Sequence, residues 1–223
     1  MKCFLFDLDG TLTDPGIGIT NSVMYALRKL GLPVPPREEL YAFVGPPLTQ
    51  SFVRLCGVRE EDAPLAIAYY REYFGPKGIL ENEIYPGIPE LLAEIREGGG
   101  KIILATAKPL AFAERIVEHF GIRHCFDHLA GNDMSEKYKK KSALIEDALA
   151  AAGIPPGNKK DCVMVGDRSH DIEGAREAGI AGIGVLYGYG SREELTDSGA
   201  DFIAADVGEL REIILRIMDG EKR

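Results

Sequence analysis

The stretch Phe4-Leu5-Phe6-Asp7-Leu8-Asp9-Gly10-Thr11 runs from an apolar strand directly into two carboxylates and a turn. Side chains two positions apart in extended chain point to the same side, so Asp7 and Asp9 would repel each other unless a cation or a shared proton lies between them. Gly10 lets the chain turn, and Thr11 adds a hydroxyl and a backbone N–H. The stretch predicts a buried strand that carries two acids at its carboxyl end, although a solvated turn has the same pattern.

The size and charge of the chain argue against several classes of function. Its 223 residues, 45% of them hydrophobic, suffice for one large domain or for one domain with a smaller insert. The formal net charge of −9 argues against binding to a nucleic-acid backbone. No apolar run approaches the roughly 20 residues of a membrane span, and the first residues lack a signal-peptide pattern. We therefore expect a cytoplasmic protein without nucleic-acid or membrane partners, either a monomer or a homodimer.

The spacing of apolar residues divides the chain into two parts. From about 14 to 84 it is helical, with a break at Gly45-Pro46-Pro47. From 85 onward helices alternate with strands, which indicates a parallel sheet, and the first strand belongs with it. The later strands are predicted at 101–105, 126–130, 161–165, 181–185 and 201–204. We predict an α/β core with a doubly wound parallel sheet over 1–13 and 85–223, and an inserted all-helical domain over 14–84.

Polar residues follow three further core strands, at the edge where such sheets bind ligands. Thr106-Ala107-Lys108-Pro109 offers a hydroxyl and backbone N–H groups at the predicted start of a helix, which suits an anionic oxygen. Asp167 ends a later strand, and Asp171 lies one helical turn further on. The basic run Lys137-Tyr138-Lys139-Lys140-Lys141 lies at the start of another helix, where the helix dipole disfavours cations. Something at that edge therefore needs positive charge.

Carboxylates, a hydroxyl and a lysine on one edge of a sheet are suited to binding phosphate together with magnesium. Mg²⁺ prefers oxygen ligands and keeps several waters, and it would cancel the repulsion among Asp7, Asp9 and Asp167. An aspartate can attack phosphorus to give an aspartyl-phosphate. A second aspartate two residues along can protonate the leaving oxygen and then deprotonate a water. The pattern predicts Mg²⁺-dependent hydrolysis of a phosphomonoester.

The chain resembles the haloacid dehalogenase superfamily, whose four motifs match here in order. They are Asp7-Leu8-Asp9-Gly10-Thr11, Thr106, a lysine, and Gly166-Asp167-Arg168-Ser169-His170-Asp171. The resemblance implies that Asp7 is the nucleophile. It also implies that Asp9 is the general acid and base, with its backbone carbonyl on the metal.

The same resemblance implies roles for the remaining motif residues. Thr106, with the adjoining Ala107, would bind phosphate. Asp167 would bind Mg²⁺, and Asp171 would support the metal's waters and the lysine, so that Asp7, Asp9, Asp167 and Asp171 make up the metal site. The lysine would hold the nucleophile and a phosphate oxygen.

Three consecutive lysines are candidates for the third motif. Lys141 precedes Ser142-Ala143-Leu144-Ile145 and resembles the lysine that begins a helix in phosphoglycolate-phosphatase-like members. It is therefore preferred over Lys140 and Lys139. The chain departs from the commoner Lys-Pro form, so these neighbours stay open as alternatives.

The helical insert resembles the helical (C1-type) cap of phosphoglycolate phosphatases and of their nucleotidase-like relatives. A cap of that kind excludes water from the site. Gly45 and the prolines after it would face the substrate, although a turn between helices requires the same residues. The acid Asp9 argues against a dehalogenase within the family.

The resemblance implies a phosphatase whose partner is a small phosphorylated metabolite. Phosphoglycolate is the first candidate, and a nucleoside 5′-monophosphate is the alternative. A phosphomutase related to β-phosphoglucomutase and a non-catalytic binding module are weaker alternatives.

Overall fold

The computed structural model describes residues 1–134 and 139–220. Lys137 and Tyr138 of the predicted basic run lie outside the described residues. The chain forms two compact units, one made of Met1–Thr13 with Ile84–Arg223 and the other of Asp14–Glu83.

A parallel sheet forms the centre of the first unit. The strands of the described residues are β1 (Cys3–Phe6), β2 (Thr13–Asp14), β3 (Glu83–Ile84), β4 (Lys101–Pro109), β5 (His128–Asn132), β6 (Cys162–Gly166), β7 (Ala181–Val185) and β8 (Phe202–Ala204). Six of them pair in the order β5-β4-β1-β6-β7-β8, and every pair is parallel. β2 and β3 form a separate two-stranded sheet. The predicted sheet is confirmed, with β1 in its middle.

Helices of the first unit cover both faces of this sheet. The α-helices of the described residues are α1 (Gly16–Lys29), α2 (Arg37–Leu40), α3 (Leu48–Cys56), α4 (Ala63–Phe74), α5 (Ile88–Glu97), α6 (Leu110–His119), α7 (Lys141–Ala151), α8 (Ser169–Ala178), α9 (Arg192–Asp197) and α10 (Val207–Met218). Leu5 lies in one buried cluster with Ile145 of α7 and Ala175 of α8. Phe4 and Phe6 point to the opposite face and are fully buried, so that face is covered as well. None of these helices is both long enough and apolar enough to cross a membrane.

The second unit is helical between its short terminal strands. α4 packs against α1 and α3. Its core contains a chain of aromatic contacts from Phe43 through Phe52 and Tyr70 to Phe74. Gly45 has a φ of 102°, a left-handed conformation that favours glycine, so the turn itself requires a glycine there. The predicted contact of Gly45 with substrate stays a prediction.

One predicted feature of the first unit is wrong, and one of its helices was not predicted. The strand predicted at 101–105 extends to Pro109, so Thr106 and Ala107 lie within β4 and not at the start of a helix. The pairing of β4 with β5 shifts register between Ala105 and Pro109, which lets polar residues continue the strand. The short helix α9 has no counterpart in the prediction, because its six residues are too few for a periodic pattern.

Candidate active site

Asp7 and Asp9 lie at the carboxyl end of β1, where the chain leaves the sheet. The N–H of Asp7 still donates to the carbonyl of Val165 in β6 at 2.9 Å, so the strand pairing extends to this residue. The next residues form a tight turn in which the carbonyl of Leu8 accepts from the N–H groups of Leu12 and Thr13 at 2.9 and 3.0 Å. The turn fixes the backbone on both sides of Asp9.

Lys141 bridges two of the predicted carboxylates. Its Nζ lies 2.8 Å from Oδ1 of Asp7 and 2.7 Å from Oδ1 of Asp171, and all three side chains are buried. Lys141 is the first residue of α7, whereas Lys139 extends to an ion pair with Asp147 at 2.7 Å. Of the two, Lys141 is the lysine that contacts the predicted nucleophile.

Burial and charge act on these three groups in opposite directions. Burial raises the pKa of Asp7, and the Lys141 ammonium offsets only part of that rise. Burial also raises the pKa of Asp171, but Lys141, His170 and the N–H of Arg168 together outweigh it and bring this pKa below its ordinary value. For Lys141, burial lowers the pKa, but Asp171 and Asp7 together raise it above its ordinary value. The lysine is therefore a permanent cation between two acids.

Asp167 is fully buried against the first motif. Its Oδ1 accepts from the hydroxyl of Thr11 at 3.3 Å, and its Oδ2 accepts from the N–H of Tyr189 at 2.8 Å. Gly10 has a φ of 81°, and a Cβ added there would overlap the carboxylate of Asp167. Only glycine therefore allows the first and fourth motifs to lie this close together. Burial and then the nearby Asp171 raise the pKa of Asp167 well above its ordinary value.

The loop after β7 supports Asp167 from the other side. A Cβ added to Gly188 would overlap the side chain of Asp167, and one added to Gly190 would overlap its carbonyl oxygen. The hydroxyl of Tyr187 donates to the carbonyl of Thr11 at 3.0 Å. This glycine-containing segment is therefore a loop beside the site.

Asp171 and Arg168 fix the start of α8. The N–H of Arg168 donates to Oδ2 of Asp171 at 3.1 Å, which leaves Oδ1 to Lys141. Glu194 of α9 accepts from Nε of Arg168 at 3.0 Å and from the N–H of Ser169 at 2.8 Å. Arg168 therefore has a structural role, as the partner of an acidic neighbour.

Thr106 and Ala107 lie at the same edge of the sheet, in the part of β4 where the pairing with β5 shifts register. Thr106 is buried, and its hydroxyl accepts from the N–H of Lys108 at 3.2 Å. The carbonyl of Ala107 accepts from Nδ2 of Asn132 at 2.8 Å. Oδ1 of Asn132 in turn accepts from the N–H of Lys139, at 3.1 Å. Asn132 thus connects Ala107, beside Thr106, to Lys139, two residues before Lys141, through hydrogen bonds.

Lys108 also lies at this edge, although the sequence pattern did not predict a role for it. Its Nζ lies 2.5 Å from Oδ2 of Asp9, and both side chains are largely buried. In extended chain Lys108 points to the same side as Thr106, two residues earlier. Had β4 been predicted to reach Pro109, this alternation would have placed the lysine beside the two acids.

The acids of this edge fit a divalent cation. Asp7, Asp167 and Asp171 carry three negative charges when ionised, and Lys141 returns one positive charge. Among the described residues, Asp167 is not part of any lysine or arginine ion pair within 4.0 Å, although it is buried. A buried charge without a counterion is costly, and Mg²⁺ takes carboxylate oxygens of this kind.

A second grouping consists of Asp7, His170 and Asp171, which each bring one ligand atom within 4.8 Å of the others. His170 was not among the predicted ligands, and its Nε2 lies 3.7 Å from Oδ1 of Asp171. That same oxygen is 2.7 Å from Nζ of Lys141. The ammonium therefore already supplies a cation between these acids.

Comparison with known proteins defines the class of this enzyme. A family model described as haloacid dehalogenase-like hydrolase matches residues 4–185, and the chain belongs to that family. Phosphatase names recur among its relatives and among similar solved structures, and the chain is accordingly an enzyme of the phosphatase type.

Individual relatives differ in the activity that their names state. The chain is 41% identical to a 5′-nucleotidase of Pseudomonas aeruginosa, over 94% of each chain. It is 38% identical to tyrosine-protein kinase PtkA of Mycobacterium tuberculosis, over 94% of this chain and 71% of the kinase. It is 28% identical to a phosphoglycolate phosphatase of Vibrio parahaemolyticus, over 96% of each chain. The crystal structure of a predicted phosphatase from Clostridium acetobutylicum superposes with a TM-score of 0.90 at 42% identity, over 96% of this chain and 98% of that one.

Proposed function

We propose that this phosphatase hydrolyses a small phosphomonoester through an aspartyl-phosphate on Asp7, with Mg²⁺ as cofactor. The observation that carries the proposal is the buried bridge of Asp7, Lys141 and Asp171. A nucleophilic carboxylate must remain ionised in a site that burial makes unfavourable for charge. The fixed ammonium of Lys141 serves that purpose.

In the first step a carboxylate oxygen of Asp7 attacks phosphorus. The bond from phosphorus to the leaving oxygen breaks, and its electron pair stays on that oxygen. The leaving oxygen takes a proton from the carboxyl of Asp9, which becomes a carboxylate. The products are the aspartyl-phosphate and the free alcohol.

In the second step the carboxylate of Asp9 takes a proton from a water, and the water oxygen attacks phosphorus. The bond from phosphorus to the Asp7 oxygen breaks, which regenerates the Asp7 carboxylate and releases inorganic phosphate. Asp9 is then protonated again and ready for another substrate. The position of Asp9 two residues after the nucleophile lets one group serve both steps.

The phosphate would be bound by the neighbours of these acids. The hydroxyl of Thr106, the backbone of Ala107 and the ammonium of Lys141 supply donors for its oxygens. When bound to Asp7, Asp167 and the carbonyl of Asp9, with Asp171 supporting its waters, Mg²⁺ supplies positive charge that neutralises the phosphate and the acids.

The substrate that we favour is a nucleoside 5′-monophosphate. The 41% identity with a 5′-nucleotidase exceeds the 28% identity with a phosphoglycolate phosphatase. Phosphoglycolate, the first candidate from the sequence alone, becomes the second candidate. We further propose that the helical unit acts as the cap, that the protein acts in the cytoplasm, and that it is a monomer or a homodimer.

The proposal is tested with a panel of phosphomonoesters at fixed Mg²⁺ concentration. The panel contains p-nitrophenyl phosphate, the nucleoside 5′-monophosphates, phosphoglycolate and a sugar phosphate. Phosphate release should be greatest with a nucleoside 5′-monophosphate, and both Asp7→Asn and removal of Mg²⁺ should abolish it. Activity that survives either change would refute the mechanism.

Two arms of the same experiment test other phosphoryl acceptors. Recovery of an isomerised sugar phosphate instead of inorganic phosphate would indicate a mutase. A relative is named a tyrosine kinase, so incubation with ATP and a tyrosine-containing peptide is included. We expect no phosphopeptide, because water is the acceptor in the proposed second step.

A further inference from the structure

The ion pair between Lys108 and Asp9 engages one oxygen of the carboxyl group and not the other. Oδ2 of Asp9 lies 2.5 Å from Nζ of Lys108. Oδ1 of Asp9 is buried and accepts no hydrogen bond from the described residues. A buried oxygen without a donor is unfavourable, and such atoms in native proteins call for an explanation.

The backbone of β4 fixes where Lys108 can reach. The register shift between Ala105 and Pro109 lies in this segment. Asn132 holds it by donating to the carbonyl of Ala107 at 2.8 Å, and the N–H of Lys108 donates to Oγ1 of Thr106 at 3.2 Å. The side chain of Lys108 is only 7% exposed, so its ammonium is held in place by its surroundings.

We propose that Lys108 is a positioning residue for the proton transfer by Asp9. Its ammonium holds Oδ2 and thereby fixes the rotation of the carboxyl group. Oδ1 is then the atom that gives the proton to the leaving oxygen and later takes one from water. This inference rests on the proposed function, because it assumes that Asp9 is the general acid.

The role of Lys108 differs from that of Lys141. Lys141 contacts the nucleophile and lies where phosphate would bind, so its loss would impair every substrate. Lys108 contacts the acid, which acts in both steps. In kcat/KM, which covers only the steps up to formation of the aspartyl-phosphate, loss of Lys108 should therefore matter only where the leaving group needs a proton. p-Nitrophenolate leaves as a stable anion, whereas the alkoxide from a nucleoside or an alkyl phosphate does not.

The test compares kcat/KM for p-nitrophenyl phosphate and for an alkyl phosphomonoester. General acid catalysis typically contributes about 10²- to 10⁴-fold, so Lys108→Met should lower the alkyl reaction by about 10²-fold or more. The p-nitrophenyl reaction should fall much less, and Lys108→Arg should recover part of the alkyl activity. In an Asp9→Asn background, Lys108→Met should cause little additional loss with either substrate.

Lys2→Met is the matched control. Lys2 pairs with Asp161 at 3.1 Å next to the other end of β1, so this variant also removes an ammonium from an aspartate on the same sheet. Its ratio of alkyl to p-nitrophenyl activity should equal that of the unmodified protein.

Equal losses on the two substrates in Lys108→Met would overturn the inference, and so would an undiminished effect in the Asp9→Asn background. If Lys108→Met does not fold, the same ratio is read in Lys108→Arg, where a loss confined to the alkyl substrate supports the inference and an equal loss overturns it. A wild-type protein that hydrolyses neither substrate would overturn the proposed function and this inference together. A wild-type protein active on both, with equal losses in the variants, overturns this inference alone.

Discussion

Nζ of Lys141 lies 2.8 Å from Oδ1 of Asp7, although the two residues are 134 positions apart in the chain. The carboxyl end of β1 and the first turn of α7 bring them together. Among the side chains of the site, this is the contact on which the charge of the nucleophile depends most directly, because burial by itself would favour its neutral form.

Replacing Lys141 with methionine should abolish activity and lower the free energy of unfolding. The variant leaves the carboxylates of Asp7 and Asp171 buried without their ammonium, and breaking a buried ion pair in this way typically costs about 3–5 kcal/mol. Urea unfolding at neutral pH measures the loss, and phosphate release measures activity. Lys2→Met, which breaks a more exposed pair, should change neither appreciably. A Lys141→Met protein of wild-type stability would contradict the buried bridge.

Gly190 should not tolerate a side chain. Its φ is not in the left-handed region, so backbone strain does not enter, but a Cβ would overlap the carbonyl oxygen of Asp167. Gly190→Ala should therefore lower the free energy of unfolding by about 1–3 kcal/mol, as overpacking typically does. It should also weaken activity by displacing Asp167. Gly157 has no neighbour within 4 Å of such a Cβ, so Gly157→Ala is the control and should be neutral. Equal effects of the two changes would show that the close packing is unimportant.

Patterns along the chain predicted the parts of this structure that depend on local sequence. The apolar strand before Asp7 and the strand before Asp167 stand out because buried parallel strands are continuous apolar runs. Parallel topology then places their carboxyl ends on one edge, which is why four distant acids could be grouped without a structure.

Features that depend on irregular backbone or close packing could not be predicted in the same way. Lys108 was missed because β4 continues through the polar Thr106, supported by a register shift and by Asn132. The packing of Gly188 and Gly190 on Asp167 has no periodic signal, since it depends on how two loops approach each other. Sequence patterns predict helices and strands, whereas the contacts of Lys108, Gly188 and Gly190 depend on how those elements and loops pack together.

The pair of Glu194 with Arg168 and Ser169 should make stability depend on pH. Burial raises the pKa of Glu194, but the N–H of Ser169 and the Arg168 guanidinium outweigh it and lower the pKa below its ordinary value. A group with a lowered pKa in the folded state stabilises the fold above its unfolded pKa, about 4.3 for glutamate, and loses that contribution as the pH falls through the folded value. Glu194→Gln should therefore be less stable than wild type at pH 7, with a difference that shrinks as the solution is acidified. Urea midpoints across this range test it, and a difference independent of pH would contradict it.

Ionisation of Asp167 should lower stability, whereas ionisation of Glu194 raises it, and metal binding should change this effect of Asp167. Its pKa is raised, so the protonated group favours folding, and that contribution is lost as the pH rises through the folded pKa. Without metal, Asp167→Asn should thus be at least as stable as wild type at pH 7, because an amide can still accept from Tyr189 and donate to Thr11.

Addition of Mg²⁺ should reverse that order. A ligand that binds only the folded protein raises its free energy of unfolding by about 2.7 kcal/mol at a concentration 100 times its Kd. Mg²⁺ should stabilise the wild-type protein in this way, and the gain should grow with pH because the ligands must be deprotonated. Asp167→Asn should gain much less, whereas Asp161→Asn, a change at a partly exposed acid paired with Lys2, should gain as much as wild type. Thermal unfolding with and without Mg²⁺ at several pH values measures the three gains. Equal gains in all three proteins would show that Mg²⁺ binds elsewhere, and the metal site proposed around Asp167 would then be wrong.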